Sequence, residues 1–162
     1  MQNTSARPAD EIEGVVRTYG NMLFRICLVM LRNESDAEDA VQDTILRYIQ
    51  KAPSFDSSEH EKAWLITVAT NRCRDMKRFW LRHPQSDITE LHGCVSDLES
   101  CGMIEALIMI PEKFRIVMTL YYVEEYRIED IADMIEKSTS AVKMRLQKGR
   151  KLLEEKYRKE FL

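Results

Sequence analysis

Apolar residues recur along most of this chain at the three- and four-residue steps of a helix, and the places where that rhythm fails divide it into elements. Over residues 8–32, Ile12, Val15, Val16, Tyr19, Leu23, Ile26, Cys27 and Met30 share one predicted face, with Gly20 as a point where the helix can ease. The pattern breaks at Arg32, Asn33 and Glu34. Ser35 followed three residues later by Glu38 has the form of a capping box, and the helix it opens runs to about Lys51 with Ala37, Ala40, Val41, Ile45 and Tyr48 as its stripe. Pro53 and Ser54 end it. A loop over residues 52–60 then carries Phe55, and Ser58 with Glu61 offers a second capping box for a helix from about Glu59 to Arg82. Three such helices predict a bundle.

From about residue 83 to residue 100 the periodicity fails, and Pro84, Ser86, Asp87, Gly93 and Ser96 mark a flexible connection. It resumes over residues 103–110. Pro111 suits the first turn of a further helix whose inward residues include Phe114, Val117, Met118 and Tyr121. Next, Ile128, Ile131, Ala132 and Ile135 line one side of a short helix whose Glu129, Asp130 and Asp133 face water. Residues 136–138 supply a turn, Ser138 is the expected N-cap, and the last helix points Val142, Leu146, Leu152 and Leu153 inward. This is helix-turn-helix spacing. The expected fold is all-α: two small helical domains, residues 1–82 and 101–162, joined by a flexible linker over residues 83–100.

A length of 162 residues accommodates this arrangement, and five Gly with four Pro leave little punctuation for a β-rich fold. Charge sharpens the picture because the signs are segregated, although the formal net charge is only −3. Residues 34–43 hold five carboxylates (34, 36, 38, 39 and 43) and no base. Residues 62–82 carry six bases against Asp75, and residues 143–159 carry eight against Glu154 and Glu155. A helix this basic is drawn to phosphate, and its first turns can enter a major groove. One acidic surface and two basic ones imply at least two kinds of partner.

Other classes of function find little support. Residues 1–10 are polar and no apolar run approaches the length of a membrane span, so a cytoplasmic protein without membrane insertion is expected. Cys27, Cys73, Cys94 and Cys101 form no CxxC pair; the first two fall on apolar faces and read as small core residues. His83, His92, Cys94 and Cys101 match no common metal-site spacing. His60, His83 and His92 stand in or beside loops without an ordered nucleophile or carboxylate, and neither a phosphate loop nor HExxH occurs. No catalysis is expected of the chain itself.

Three blocks carry a family resemblance. Residues 31–47, LRNESDAEDAVQDTILR, resemble region 2 of the extracytoplasmic-function sigma factors of bacterial RNA polymerase; residues 63–75, AWLITVATNRCRD, resemble that family's promoter-melting helix; residues 110–122, IPEKFRIVMTLYY, with Ile131, Ala132 and residues 142–146, resemble its region 4. They occur in the family's order and at its separations. The resemblance implies a subunit that docks on core RNA polymerase, through the beta-prime clamp coiled coil and the beta flap, and on promoter DNA, with an anti-sigma factor as a further partner. Asp39, Gln42 and Asp43 become candidate polymerase contacts. For the minus-ten element the matching residues are Phe55 with its loop of residues 56–61, Trp64, Asn71 as polar reader, and Arg72, Arg74 and Arg78 as phosphate contacts. Leu65 and Val68 share much of the Trp64 face, which favours packing over a base platform for that ring. For the minus-thirty-five element they are Ser140, Lys143, Met144, Arg145, Lys148 and Arg150; which of these read bases stays open. The chain departs from the family at Glu125 and Glu136, where glycine is usual, and at Arg127, often serine. Ending at Leu162 soon after the last helix, it is expected to be regulated from outside. Two other classes compete: a sigma mimic that titrates an anti-sigma factor, and a plain helix-turn-helix regulator. The basic residues of both basic segments oppose the first, and the acidic block with the loop before Trp64 opposes the second.

Overall fold

The computed structural model describes residues 7–82 and 106–161, in two compact units divided between Ile88 and Thr89. Among the described residues every regular element is helical. The first unit holds α1 (Ala9–Leu31), α2 (Glu34–Lys51) and α3 (Ser58–Arg82), each packed on the other two. The second holds a helical turn over residues 106–109, α4 (Glu112–Met118) running into a π-helical turn (Thr119–Val123), α5 (Ile128–Ile135) and α6 (Thr139–Phe161).

In the first unit α1 is the central stave. Val15, Tyr19, Met22 and Leu23 point inward, and from Ile26 to Leu31 every side chain is apolar and buried, in a helix that both α2 and α3 pack against. Val16, expected inward, is 46% exposed, one residue round from the Val15–Tyr19 stripe. By length and composition α1 would pass as a membrane span, contrary to the sequence reading. Its apolar surface is spent on the bundle core instead. Cys27 on α1 and Cys73 on α3 meet in that core as free thiols, and Cys73 as hydrogen-bond partner, with burial, pushes the Cys27 thiol well up.

Both capping boxes of this unit are displaced by one or two residues. Arg32 turns the chain at a left-handed φ of 60°, so Asn33 emerges extended and caps α2, its side chain accepting from the Asp36 N–H at 2.9 Å. Ser35 is already inside the helix. At α3 the cap is Ser57, whose Oγ accepts from the His60 N–H at 3.1 Å, while Glu61 accepts from the Tyr48 hydroxyl at 2.9 Å. The expected cap at Ser138 stands, with its Oγ accepting from the Ala141 N–H at 3.1 Å.

In the second unit Pro111 precedes α4, and Phe114, Val117 and Met118 are buried as expected, joined by Ile116 and Leu120. Tyr121, Leu152 and Leu153 are only half-buried. α6 crosses α4 at Gly149, where an added Cβ would lie 3.1 Å from the Met118 side chain and 3.4 Å from the Phe114 Cβ. Among the described residues of this unit, Glu125 (φ 58°) and Glu136 (φ 56°) are left-handed. These are the two positions where the family resemblance called for glycine.

Candidate polymerase and nucleic-acid interfaces

α2 buries Ala37, Ala40, Thr44 and Tyr48, which turns the opposite side of the helix outward. Asp39 and Gln42 are exposed there, with Asp43 beside them. Leu46, one heptad beyond Asp39, continues the same stripe as a large apolar side chain 52% exposed. The sequence reading missed it. Its signal was available, since Leu46 lies off the spacing of the buried stripe. Burial, then the neighbouring Asp39 charge, raises the Asp36 carboxyl above its ordinary range. Asp43 is bound within the unit: its Oδ2 accepts from Nε of Arg72 on α3 at 2.6 Å. Two residues expected to serve different partners therefore hold one another.

The loop between α2 and α3 is built on aromatic rings. Phe55 stacks parallel to Tyr48 at 6.3 Å, meets Trp64 at 5.9 Å and lies edge-on to His60 at 5.3 Å. Trp64, half-buried, also contacts Tyr48 at 6.1 Å, so the ring is part wall and part surface. From Trp64 the strip continues along α3 through Asn71, Arg74 and Arg78, spaced seven, three and four residues apart and thus on one side of the helix. Arg78 makes a long 3.8 Å ion pair with Asp75, both side chains well exposed. Arg72 lies off this strip, turned toward α2.

Tyr48 lies beneath this cluster. Its hydroxyl donates to Glu61 at 2.9 Å and lies within 3.2 Å of the Glu11 carboxylate, and burial first, then the bond to Glu61, pushes its phenol strongly up. Tyr19 is raised for related reasons, burial followed by the charges of Glu61 and Glu59.

On α6 the buried line is Val142, Leu146 and Gly149. Ser140 and Met144 lie opposite it, Met144 70% exposed, with Lys143 and Lys148 exposed to either side and Arg145 half-buried at the margin. Arg150 stands apart. Its Nη1 donates to the Tyr122 hydroxyl at 3.0 Å, at the edge of an open apolar groove of about 380 Å³ lined by Leu107, Met118, Tyr122, Val123 and Leu153 among others. The π-helical turn carries Tyr122 and Val123 into that wall. Neither the turn nor the groove was foreseen, because a single extra residue in a helical turn leaves no periodic trace over so short a run.

Residues 15–79 match the family description Sigma-70 region 2, and residues 103–162 match Sigma-70, region 4. The chain belongs to the sigma-70 family. It is a sigma factor of the extracytoplasmic-function type: it is 25% identical to the ECF RNA polymerase sigma factor SigW of Bacillus subtilis, across 92% of this chain and 90% of that one, and 24% identical to RNA polymerase sigma factor SigV of the same organism, across 86% of each. Its fold is similar to that of the sigma factor RpoE from Bartonella quintana, solved with the anti-sigma factor NepR (TM-score 0.77, 22% identity, 94% of this chain and 99% of that one). A second similar fold is CnrH, solved with the cytosolic domain of CnrY (TM-score 0.68, 20% identity, 94% and 91% covered). The first unit of this sigma factor is thus region 2 and the second region 4. His83, His92, Cys94 and Cys101, whose spacing matches no common metal site, and the linker over residues 83–100 lie outside the described residues.

Proposed function

We propose that this sigma factor seats region 2 on core RNA polymerase through the outer face of α2, holds the minus-ten element open along α3 and reads the minus-thirty-five element with the first turns of α6. The sorting of side chains on region 2 carries this reading. Asp39, Gln42 and Asp43 lie within the two turns before the exposed Leu46 on the same side of α2, which sets an apolar anchor beside charge of the kind that fixes register at a protein interface. Phe55, Trp64, Asn71, Arg74 and Arg78 run from rings to guanidiniums, which suits a strand whose bases are unstacked while its phosphates stay charged. Unstacking costs a few kcal/mol per base, and stacking on aromatic side chains returns about 1–3 kcal/mol per base.

In region 4, Ser140, Lys143, Met144, Arg145 and Lys148 form the groove-facing set. Lys and Arg suit guanine edges or phosphates, and Met144 suits a thymine methyl. Arg150, bonded to Tyr122 beside the apolar groove, fits a seat for the beta flap of polymerase better than a duplex contact. Residues 83–100 serve as the linker between a region 2 domain of residues 1–82 and a region 4 domain of residues 101–162. The factor works in the cytoplasm without membrane insertion, and the chemistry of RNA synthesis stays with the polymerase. The similar folds solved with NepR and with CnrY support an anti-sigma protein as a further partner for this chain.

Transcription in vitro with purified core polymerase on a genomic library tests the whole reading. The expected result is a set of start sites at constant spacing from two shared motifs. Association with core that starts no RNA would identify a mimic, and failure to associate would overturn the assignment.

A further inference from the structure

We infer that Arg7, ahead of α1, is a positioning residue for the aromatic loop of region 2 and thereby a determinant of minus-ten specificity. The inference rests on the proposed role of that loop in capturing an unstacked base.

Arg7 reaches across the end of the bundle. Its Nη2 donates to the Ala52 carbonyl at 2.9 Å and the Pro53 carbonyl at 2.6 Å, and its Nη1 to Glu11 at 2.5 Å and the Tyr48 hydroxyl at 3.3 Å. The guanidinium also lies 4.4 Å from the Tyr48 ring centroid and 5.7 Å from that of Phe55. Ala52 is the C-cap of α2, so Arg7 supplies donors and positive charge where the helix leaves its last carbonyls unpaired. These contacts fix both ends of one short path, from the Tyr48 ring on α2 to the carbonyls that lead directly into Phe55. Only a planar cation with several donors can bridge two carbonyls and cover two rings at once. A lysine at this position keeps the charge but can meet one of those demands at a time.

Removing Arg7 takes away its bonds to the Ala52 and Pro53 carbonyls and leaves the Phe55 ring to its neighbours Tyr48, Trp64 and His60. Small errors in placing a reacting or binding group carry large penalties in rate. Arg7 acts through the loop and touches no base itself.

The test uses the full chain with core polymerase and a promoter recovered from the library. The readout is the ratio of open-complex formation on the best minus-ten element to that on each single-base substitution. Arg7→Lys and Arg7→Gln are expected to lower this discrimination by on the order of tenfold, with core co-elution and minus-thirty-five duplex binding unchanged. Phe55→Ala is expected to do the same, and the double variant to lose nothing more. Because Arg7→Gln can weaken the bundle, Trp64 emission is followed in an otherwise folded Trp80→Phe background, where Arg7→Lys is expected to shift it to the red with unchanged helical circular dichroism. Full discrimination in Arg7→Lys, losses that multiply in the double variant, or unshifted Trp64 emission would each overturn the inference. If Phe55→Ala loses discrimination and Arg7→Lys does not, the positioning role alone is wrong. If Phe55→Ala itself leaves discrimination intact, base capture by this loop is wrong, and the role of Arg7 goes with it.

Discussion

Two glutamates do work in region 4 that backbone physics gives to glycine. Glu125 and Glu136 both hold φ near +57° (58° and 56°), where a Cβ crowds the following carbonyl at a cost of about 1–2 kcal/mol. Replacing either by glycine relieves that crowding but frees the unfolded chain, so Glu125→Gly and Glu136→Gly are each expected to stabilise region 4 by about 0.5–1 kcal/mol. A rise in the urea midpoint at unchanged slope would show it. Tyr48 makes a different residue-scale prediction. Burial and Glu61 raise its phenol above the ordinary 10.0, so the fold favours the protonated form. That contribution is complete below about pH 10 and is lost as pH climbs through the unfolded value toward the raised folded one. Tyr48→Phe should therefore flatten the alkaline fall in stability, and denaturation at a series of pH values above neutrality checks the sign. An unchanged alkaline limb would assign the loss to Tyr19 or to another group.

Between elements, the close crossing of α6 over α4 decides whether region 4 presents its outer face correctly. Gly149 permits it, with the flexible Met118 side chain as its nearest neighbour. Gly149→Ala asks Met118 to yield by a few tenths of an ångström while gaining about 1 kcal/mol of helix propensity, so it should be close to neutral. Gly149→Val adds bulk that neither Met118 nor the Phe114 Cβ can clear, and a loss of about 1–3 kcal/mol in region 4 stability is expected from chemical denaturation. The Arg72–Asp43 pair joins elements in the other region. With both side chains about two-fifths exposed, at 42% and 41%, it adds little stability. Its weight is positional: it holds a basic side chain of α3 against the acidic face of α2, where either can be released to a partner at small cost.

At the scale of the whole chain, a net charge of −3 conceals one acidic and two basic surfaces, and the proposed functions should separate along them. Asp39→Lys combined with Asp43→Asn is expected to weaken core polymerase binding about tenfold or more, while leaving minus-thirty-five duplex binding by the full chain unchanged. Asparagine is preferred at position 43 because a lysine there would confront Arg72. Lys143→Ala with Arg145→Ala should do the converse, weakening duplex binding and lowering its salt slope by about 2 while core co-elution persists. Parallel titrations of both variant pairs check the separation. A variant pair that damages both activities equally would mean the surfaces are not independent.

The sequence alone determined the helices, their order, the helix-turn-helix and the segregation of charge, because each is written in local periodicity and in residue type. The resemblance of its three blocks attached proposed roles to the acidic face of α2 and to both basic helices. Tertiary structure decided what depends on where faces turn and which residues meet. It placed the caps at Asn33, where left-handed Arg32 and the extended cap residue choose the start of α2, and at Ser57, whose hydroxyl meets the His60 N–H. It exposed Leu46 on the acidic face, tied Asp43 to Arg72, and turned Arg150 away from Ser140 and Met144 toward Tyr122. It brought Arg7 onto a loop 45 residues downstream in sequence. Such pairings span tens of residues, and no periodicity encodes them; they form only when packed helices bring distant side chains within hydrogen-bonding reach.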